Sequence, residues 1–260
     1  MINHGPDLAK DIIYKYCIHS VEELRLEEII NAEGLVIKEV DFQGIYGKLA
    51  SSNDCGIIYI NRNIRETGMK RFTLAHEFGH FLIFKKRGIY SHIFRSQVYS
   101  RKSPEEREAD AFAAELLMHR PWFNNFIRDR TIDMDLIKDI ANYFNVTLTA
   151  AAMRYANIGQ FPIAVVITMN GKIISYFINE CFPYKCLKLK IGRETGVYRM
   201  LQNNENITEK ILIEPYYWFD DKKLNYGNVI KKLWEQSIYL KYYGLVLTIL
   251  WEYNPYQIKI

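Results

Sequence analysis

Cysteine is scarce in this sequence and irregularly spaced. The 260 residues include four cysteines, and no two of them form a C-x-x-C pair. Small secreted domains that rely on disulfide bonds carry regularly paired cysteines, so that class of protein is not favoured. A reducing compartment fits this usage better, and we expect the protein to be cytoplasmic.

Targeting and membrane-spanning segments are lacking as well. Residues 1–7 contain no basic stretch followed by an apolar core, so we expect no signal peptide. The longest apolar runs, such as residues 244–251, fall far short of the roughly 20 residues that cross a membrane. The sequence therefore predicts a protein that has no membrane partner.

A strong charge of either sign is also absent. The formal net charge is +4 over 260 residues, whereas a nucleic-acid-binding domain usually carries a pronounced basic patch. The local exception is the segment from Leu82 to Pro104, which contains basic residues and no acidic one. We interpret it as a solvated loop, and the alternative is a rim that attracts an acidic substrate or a nucleic acid backbone. Nucleic acid is therefore a partner that stays open but is not favoured.

The patterns that are present predict an α+β protein with two domains. The first domain covers residues 1–158, in which helices pack with a small sheet. The second, a C-terminal α+β domain over residues 161–260, begins with apolar runs around an Asn170-Gly171 hairpin turn. A sensory or a substrate-binding role is open for it. Its other predicted elements are strands at 184–190, 211–219 and 244–252 and a helix at 231–239.

Residues 71–80, RFTLAHEFGH, contain the H-E-x-x-H signature of zincins, a class of zinc peptidases. We therefore expect the first domain to have a zincin-like fold, in which this active-site helix packs with the small sheet. On a helix, His76 and His80 lie one turn apart on the same face, and zinc accepts imidazole nitrogen. Glu77 can take a proton from water in such a site. The alternative is an amphipathic helix with two histidines in a polar groove. The apolar surroundings and the mid-helix Gly79, which lets another group come close, favour the metal site.

A second helix, over residues 103–118, has to supply the third metal ligand. Ser103 is its predicted N-cap, followed by Pro104 at the first helical position. Glu106 lies one turn before Asp110, which could orient a histidine ligand. Glu106 could instead close a capping box with the N-cap residue. The residues alone favour Glu106 only modestly over Glu105 and Glu108.

Residues 71–80 and the later segment 106–118, EREADAFAAELLM, resemble the ImmA/IrrE family of bacterial and phage metallopeptidases. The flanking stretches 57–61 and 144–154 fit the same family, so that the resemblance covers residues 30–157. One departure is visible, since the family usually has proline directly after Leu-Leu-Met, and here His119 and Arg120 intervene. We leave His119 out of the site as a helix-end residue that faces solvent.

The resemblance implies a site and a function. It implies one Zn²⁺ per chain with His76, His80 and Glu106 as ligands, Glu77 as general base and Asp110 as the carboxylate that orients a ligand. It implies a zinc endopeptidase whose substrate is a protein, a helix-turn-helix transcriptional repressor on a phage or mobile element, so that cleavage relieves repression. The alternative is a regulatory protein that binds a repressor or DNA without cleaving.

Three further segments carry open interpretations. Residues 55–61 predict a strand that either forms an edge of the cleft, where a peptide could pair with it, or lies in the core. Residues 133–157 predict a helix-turn-helix, and because Arg154 is the only cation of its second helix, we favour packing over DNA recognition. In the basic segment, Tyr90, His92 and Arg95 are candidates for stabilising an oxyanion.

Overall fold

The computed structural model describes residues 4–52, 54–88, 91–97, 103–188, 190–203, 205–220 and 232–253, with the backbone alone for residues 91–97. The chain divides into two compact units, Met1–Phe126 with Ile140–Ala150, and Ile127–Asp139 with Ala151–Ile260. Residues 133–157, which we assigned to the first domain, are thus shared between the units. The domain boundary at 158–161 stays a prediction.

The first unit combines helices with a four-stranded sheet. Its helices are α1 Gly5–Lys15, α2 Leu26–Ala32, α3 Thr67–Lys86, α4 Pro104–Leu117 and α5 Arg120–Phe126. Its strands are β1 Leu35–Val40, β2 Ile45–Ser52, β3 Cys55–Asn61 and β4 Ser91–Gln97. The mixture of helices and sheet confirms the predicted α+β class.

Strand β3 lies inside the sheet, whose order is β1-β3-β2-β4. It pairs with β1 in parallel and with β2 in the antiparallel sense. Both of its edges are therefore occupied by neighbouring strands, and the interpretation of residues 55–61 as a cleft edge is wrong. Its Ile58 and Ile60 are fully buried, as expected of a core strand.

Helices α3 and α4 pack closely because a glycine lies at their contact. A Cβ atom at Gly79 would lie 2.8 Å from Cδ1 of Phe112 on α4, closer than carbon atoms tolerate. The Phe112 ring, which is fully buried, meets Phe78 edge to face. This confirms the expectation that the missing side chain at Gly79 lets another group approach.

Two helices, α6 Met134–Phe144 and α7 Leu148–Ile158, flank a turn and are divided between the units. Asn145 in the turn adopts a positive φ of 49°, which asparagine tolerates better than most residues. Arg154 is only 6% exposed, so its guanidinium is not presented at the surface. The helix-turn-helix character of this segment stays a prediction.

The second unit contains a five-stranded sheet and one further helix. The strands are β5 Ile163–Met169, β6 Lys172–Ile178, β7 Ile211–Ile213, β8 Leu233–Leu240 and β9 Leu245–Glu252, in the order β6-β5-β9-β8-β7. The helix is α8 Gly196–Asn203. The β5–β6 hairpin turns at Asn170 and Gly171, both of positive φ, which agrees with the sequence.

The prediction of a helix at residues 231–239 was wrong, because residues 233–239 belong to strand β8. Within β8, burial alternates along the chain: Leu233, Glu235 and Ser237 are buried and the residues between them are half-buried. Pairing with β9 on one side and β7 on the other satisfies the backbone of this segment. Tertiary pairing therefore overrides the helix-forming tendency of its residues.

The predicted strand at 244–252 is confirmed by β9, whereas the other two predicted strands of this unit are shorter than expected. Only 211–213 of the segment 211–219 is a strand, and residues 184–190 contribute isolated bridges at Leu187 and Lys190. None of the helices in the described ranges is both long enough and apolar enough to cross a membrane.

Candidate metal centre

Helix α3 buries three ionisable side chains in apolar surroundings. Every residue from Thr73 to Phe84 is buried, and His76, Glu77 and His80 are 5%, 0% and 0% exposed. Buried polar groups are stable only where they find partners, so their neighbours decide what this helix can do. Because His76 and His80 are one turn apart, both imidazoles lie on the same face.

Donor atoms of the two histidines and of Glu106 converge. His76 Nε2 lies 3.1 Å from His80 Nε2 and 3.3 Å from Glu106 Oε2. His80 Nε2 lies 3.4 Å from Glu106 Oε1. One donor atom of each residue therefore lies within 4.8 Å of the other two, an arrangement that can hold a metal ion.

This donor set fits a divalent cation in size and in chemistry. Tetrahedral zinc with bonds of about 2.0–2.1 Å places its ligand atoms about 3.3–3.4 Å apart, close to the separations of 3.1, 3.3 and 3.4 Å. Two imidazoles and a carboxylate also match catalytic zinc sites, which keep a fourth position for water or substrate. Other transition metals accept the same donors, so the identity of the metal belongs to the proposal below.

Glu106 contributes its backbone N–H to the cap of α4, whereas its carboxylate, which would complete a capping box, faces the histidines. Its backbone N–H donates to Oγ of Ser103, the N-cap of α4, over 3.2 Å. Its carboxylate faces the two histidines. Glu105 and Glu108 instead form ion pairs with Arg87. Of the three acidic candidates on α4, Glu106 is the one that the fold brings to the histidines.

Asp110 lies one turn further along α4 and contacts the other side of a histidine. Its Oδ1 is 3.0 Å from Nδ1 of His76. If Nδ1 carries the proton, it donates to this carboxylate, and the lone pair of Nε2 then points toward Glu106 and His80. A carboxylate in this position fixes the tautomer and the orientation of a ligand histidine. The expected relation between Asp110 and a histidine is thus present, and its effect on metal binding stays a prediction.

The two carboxylates hold a positive charge in the centre. Burial lowers the pKa of His76, but hydrogen bonds to Asp110 and Glu106 outweigh it and raise that pKa to about 9. Burial raises the pKa of Glu106, but hydrogen bonds with His76 and His80 outweigh it and lower that pKa to about 2. Burial is the main cause that lowers the pKa of His80. Histidine ligands bind metals in the neutral form, so a cation and the proton of His76 compete.

Glu77 lies beside this charge and is fully buried. Its carboxylate helps to raise the pKa of His76, which indicates that the two groups are close. The same carboxylate points toward strand β2 at Gly47. A carboxylate next to a metal centre, and not among its ligands, is suited to proton transfer.

Comparison with known proteins agrees with this geometry. Residues 30–155 match the model of the IrrE N-terminal-like domain of peptidase family M78. The metallopeptidase ImmA of Bacillus subtilis (strain 168) is 28% identical over 136 residues, which make up 52% of this chain and 76% of ImmA. Residues 30–155 belong to the ImmA/IrrE-type family. The matched range contains His76, Glu77, His80 and Glu106, and the resemblance found in the sequence is confirmed.

A solved structure also resembles the chain over most of its length. A Mycobacterium tuberculosis transcriptional regulator matches with a TM-score of 0.61 over 96% of this chain and 77% of its own. The two sequences are 13% identical, and at this level the likeness concerns the fold alone.

Two ring contacts in the ImmA/IrrE-type centre were missed by the sequence reasoning. Phe72 stacks on His76 with ring centroids 6.4 Å apart, and Phe84 stacks on His80 at 5.5 Å. Each phenylalanine lies four residues from its histidine, and side chains at that spacing meet on a helix. The spacing could therefore have revealed them. Stacking restricts the rotation of both imidazoles.

The remaining candidates lie elsewhere. His119 Nδ1 is 2.8 Å from Oε1 of the buried Glu115, and its ring meets Trp122, so this histidine is half-buried rather than solvent-facing. It does not contribute to the cluster of metal ligands among the described residues. The side chains of Tyr90, His92 and Arg95 lie outside the described residues. Residues 91–97 of the basic segment form strand β4, so the interpretation of the whole segment as a loop was wrong there.

Proposed function

We propose that this chain is a zinc-dependent endopeptidase. The observation that carries the proposal is the convergence of His76 Nε2, His80 Nε2 and the Glu106 carboxylate within 4.8 Å of one another. Membership of residues 30–155 in a metallopeptidase family supports the same reaction class. Zinc is the proposed cation because the separations and the donor types match its tetrahedral sites.

The residues of the centre divide the chemistry among them. His76, His80 and Glu106 would hold the cation, and Asp110 and the two phenylalanine rings would keep the imidazoles oriented. A bound cation would supply Lewis-acid polarisation of the scissile carbonyl and a lowered pKa for water. Glu77 takes a proton from the attacking water and later returns it to the leaving amine. Its complete burial strengthens its electrostatic interaction with neighbouring charges.

The proposed substrate is a protein, a helix-turn-helix transcriptional repressor whose cleavage relieves repression. The resemblance to the ImmA/IrrE family supports this proposal. The same proposal places the protein in the cytoplasm, where it would act in the regulation of a phage or mobile element.

A second function is the binding of a repressor or of DNA without cleavage, which the sequence left open as the alternative. The two functions differ in what Glu77 does. Glu77→Gln removes the base without removing a metal ligand. If this variant still relieves repression in cells, the binding function is supported and proteolysis is not required.

Labelling of new protein N-termini tests the peptidase directly. The purified full-length chain, loaded with zinc, is incubated with a lysate of the organism that encodes it. We expect wild type and Glu105→Gln to generate new N-termini, Glu77→Gln to generate none while keeping one zinc per chain, and His80→Ala to lose the zinc. Equal sets of N-termini for wild type and Glu77→Gln would overturn the peptidase proposal.

A further inference from the structure

Strand β2 approaches the carboxylate of Glu77 more closely than a side chain would allow. A Cβ atom at Gly47 would lie 2.9 Å from Oε1 and 3.1 Å from Cγ of Glu77. It would also lie 2.6 Å from Cγ2 of Thr73, one turn earlier on α3. The space that any other residue would fill at position 47 is thus occupied by Glu77 and Thr73.

Close approach is the reason for this glycine. Backbone strain is not, since Gly47 does not belong to the residues with positive φ. The pairing of β2 with β4 is irregular between Ile45 and Lys48, directly around Gly47. Glycine within a strand often marks an irregularity of this kind or a place where another group comes close.

Neither the backbone of β2 at Gly47 nor the side chain of Thr73 can easily move away from Glu77. Asn61 anchors the chain before Gly47, because its Nδ2 donates to the carbonyl oxygens of Phe42 and Ile45 at 2.9 Å each. Gly47 itself pairs with Ile60 of β3.

On the side of α3, Thr73 is held as well. It is 5% exposed and donates its hydroxyl to the carbonyl oxygen of Met69 over 2.9 Å, so that rotation would break this bond. The end of the Glu77 side chain is then the part that yields to a methyl group at position 47.

We propose that Gly47 is a positioning residue, and that its missing side chain sets where the Glu77 carboxylate lies in the metal centre. This inference rests on the proposed function, in which Glu77 acts as the base. A displacement of about 1 Å in a catalytic group can cost on the order of 100-fold in rate. A methyl group at position 47 should therefore reduce turnover without removing a metal ligand.

The test separates the contact with Glu77 from the contact with Thr73. Thr73→Ser removes the methyl group nearest to position 47 and keeps the hydroxyl that donates to Met69. Gly47→Ala is then introduced into the Thr73→Ser background, where only the overlap with Glu77 remains. Gly56→Ala on β3 is the matched control, because its Cβ would crowd the backbone of Ala50 and Ser51 on β2, away from Glu77.

Two measurements are made on zinc-loaded, full-length protein. The first is the ¹³C resonance of the Glu77 carboxyl carbon at fixed pH, assigned by its absence in Glu77→Gln. The second is kcat and KM on the internally quenched peptide that wild type cleaves best in a peptide library. We expect Gly47→Ala to shift the resonance and lower kcat by about 10- to 100-fold relative to Thr73→Ser, with KM and zinc content nearly unchanged. Gly56→Ala should leave the resonance in place.

The outcomes distinguish this inference from the proposed function. An unmoved resonance would overturn the positioning role, whether or not kcat falls, and so would an unchanged kcat beside a moved resonance. If wild type cleaves no peptide but Gly47→Ala still shifts the Glu77 resonance, the placement of Glu77 by Gly47 is supported. Only the peptidase proposal then fails. If Gly47→Ala does not fold even with Thr73→Ser, adding Glu77→Asp should restore folding, because the shorter side chain vacates the overlapping space. A triple variant that still fails to fold would overturn the inference.

Discussion

The contact between Asp110 and His76 illustrates how much a single carboxylate can control in this centre. At 3.0 Å, Oδ1 of Asp110 is in position to accept a hydrogen bond from Nδ1 of His76, and the opposite ring nitrogen faces His80 and Glu106. Together with Glu106, Asp110 raises the pKa of His76 against the effect of burial. The orientation of the ligand and its basicity therefore depend on a residue that would not touch the metal.

Replacement of Asp110 by asparagine should weaken metal binding. The amide keeps the shape and one acceptor oxygen but loses the charge, so His76 becomes a poorer and less firmly oriented ligand. We expect zinc affinity to fall by about 10- to 100-fold, measured by competition with a chromophoric chelator at neutral pH. Glu105→Gln, which removes a charge from the same helix away from the histidines, is the control. Equal affinities for the two variants would argue against the orienting role.

At the scale of elements, the centre depends on how closely α3 and α4 pack. Helix α3 carries both histidines, and α4 carries Glu106, so the distance between the helices sets the separation of the ligands. Gly79 on α3 permits this distance by leaving room for Phe112 on α4. The position is costly for an isolated helix, since glycine destabilises a helix interior by up to about 1 kcal/mol relative to alanine.

Gly79→Ala should therefore destabilise the protein although alanine favours helices. The added methyl group would lie 2.8 Å from Cδ1 of a fully buried ring, and overpacking of a core costs about 1–3 kcal/mol. We expect a lower melting temperature and weaker zinc binding, measured by calorimetry and chelator competition. Phe112→Leu should relieve part of the overlap, so Gly79→Ala should cost less in that background. An equal cost in both backgrounds would contradict a direct contact.

At the scale of the whole molecule, a buried carboxyl group makes stability depend on pH. Glu235 on β8 is 0% exposed and accepts hydrogen bonds from Trp218 Nε1 over 2.8 Å and from the backbone N–H of Val197 over 3.3 Å. Burial raises its pKa from the ordinary 4.5 to about 7, although these hydrogen bonds act in the opposite direction. Folding therefore favours the protonated form of Glu235.

The sign of the pH effect follows from this shift. The contribution of Glu235 to stability is complete below the unfolded pKa of 4.5 and is lost as the pH rises through about 7, which amounts to about 3 kcal/mol at most. Glu235→Gln is neutral throughout, so its free energy of unfolding should change less between pH 5 and pH 8 than that of wild type. Urea denaturation, followed by tryptophan fluorescence at each pH, measures the free energy of unfolding of wild type and of the variant. Glu209→Gln, at an exposed position, should keep the wild-type dependence, and an equal dependence in Glu235→Gln would refute the assignment.

Features that depend on neighbours along the chain could be predicted from the sequence. The alignment of His76 with His80 follows from the helical repeat, the start of α4 follows from Ser103 and Pro104, and the β5–β6 hairpin follows from Asn170 and Gly171. The helix expected at 231–239 was wrong for the complementary reason. Its residues favour a helix locally, but they pair with the earlier strand β7 and the following strand β9, and this pairing with residues outside the segment determines the result.

The sequence by itself determined that two imidazoles and a carboxylate share one buried helix, because spacing and apolar surroundings are local properties. Only the tertiary structure decided which acidic residue of α4 joins them, since Glu105, Glu106 and Glu108 differ in the partners that folding brings to each. It alone revealed that a glycine of β2 borders the Glu77 carboxylate. Contacts between elements depend on packing in three dimensions, and no spacing along the chain encodes them.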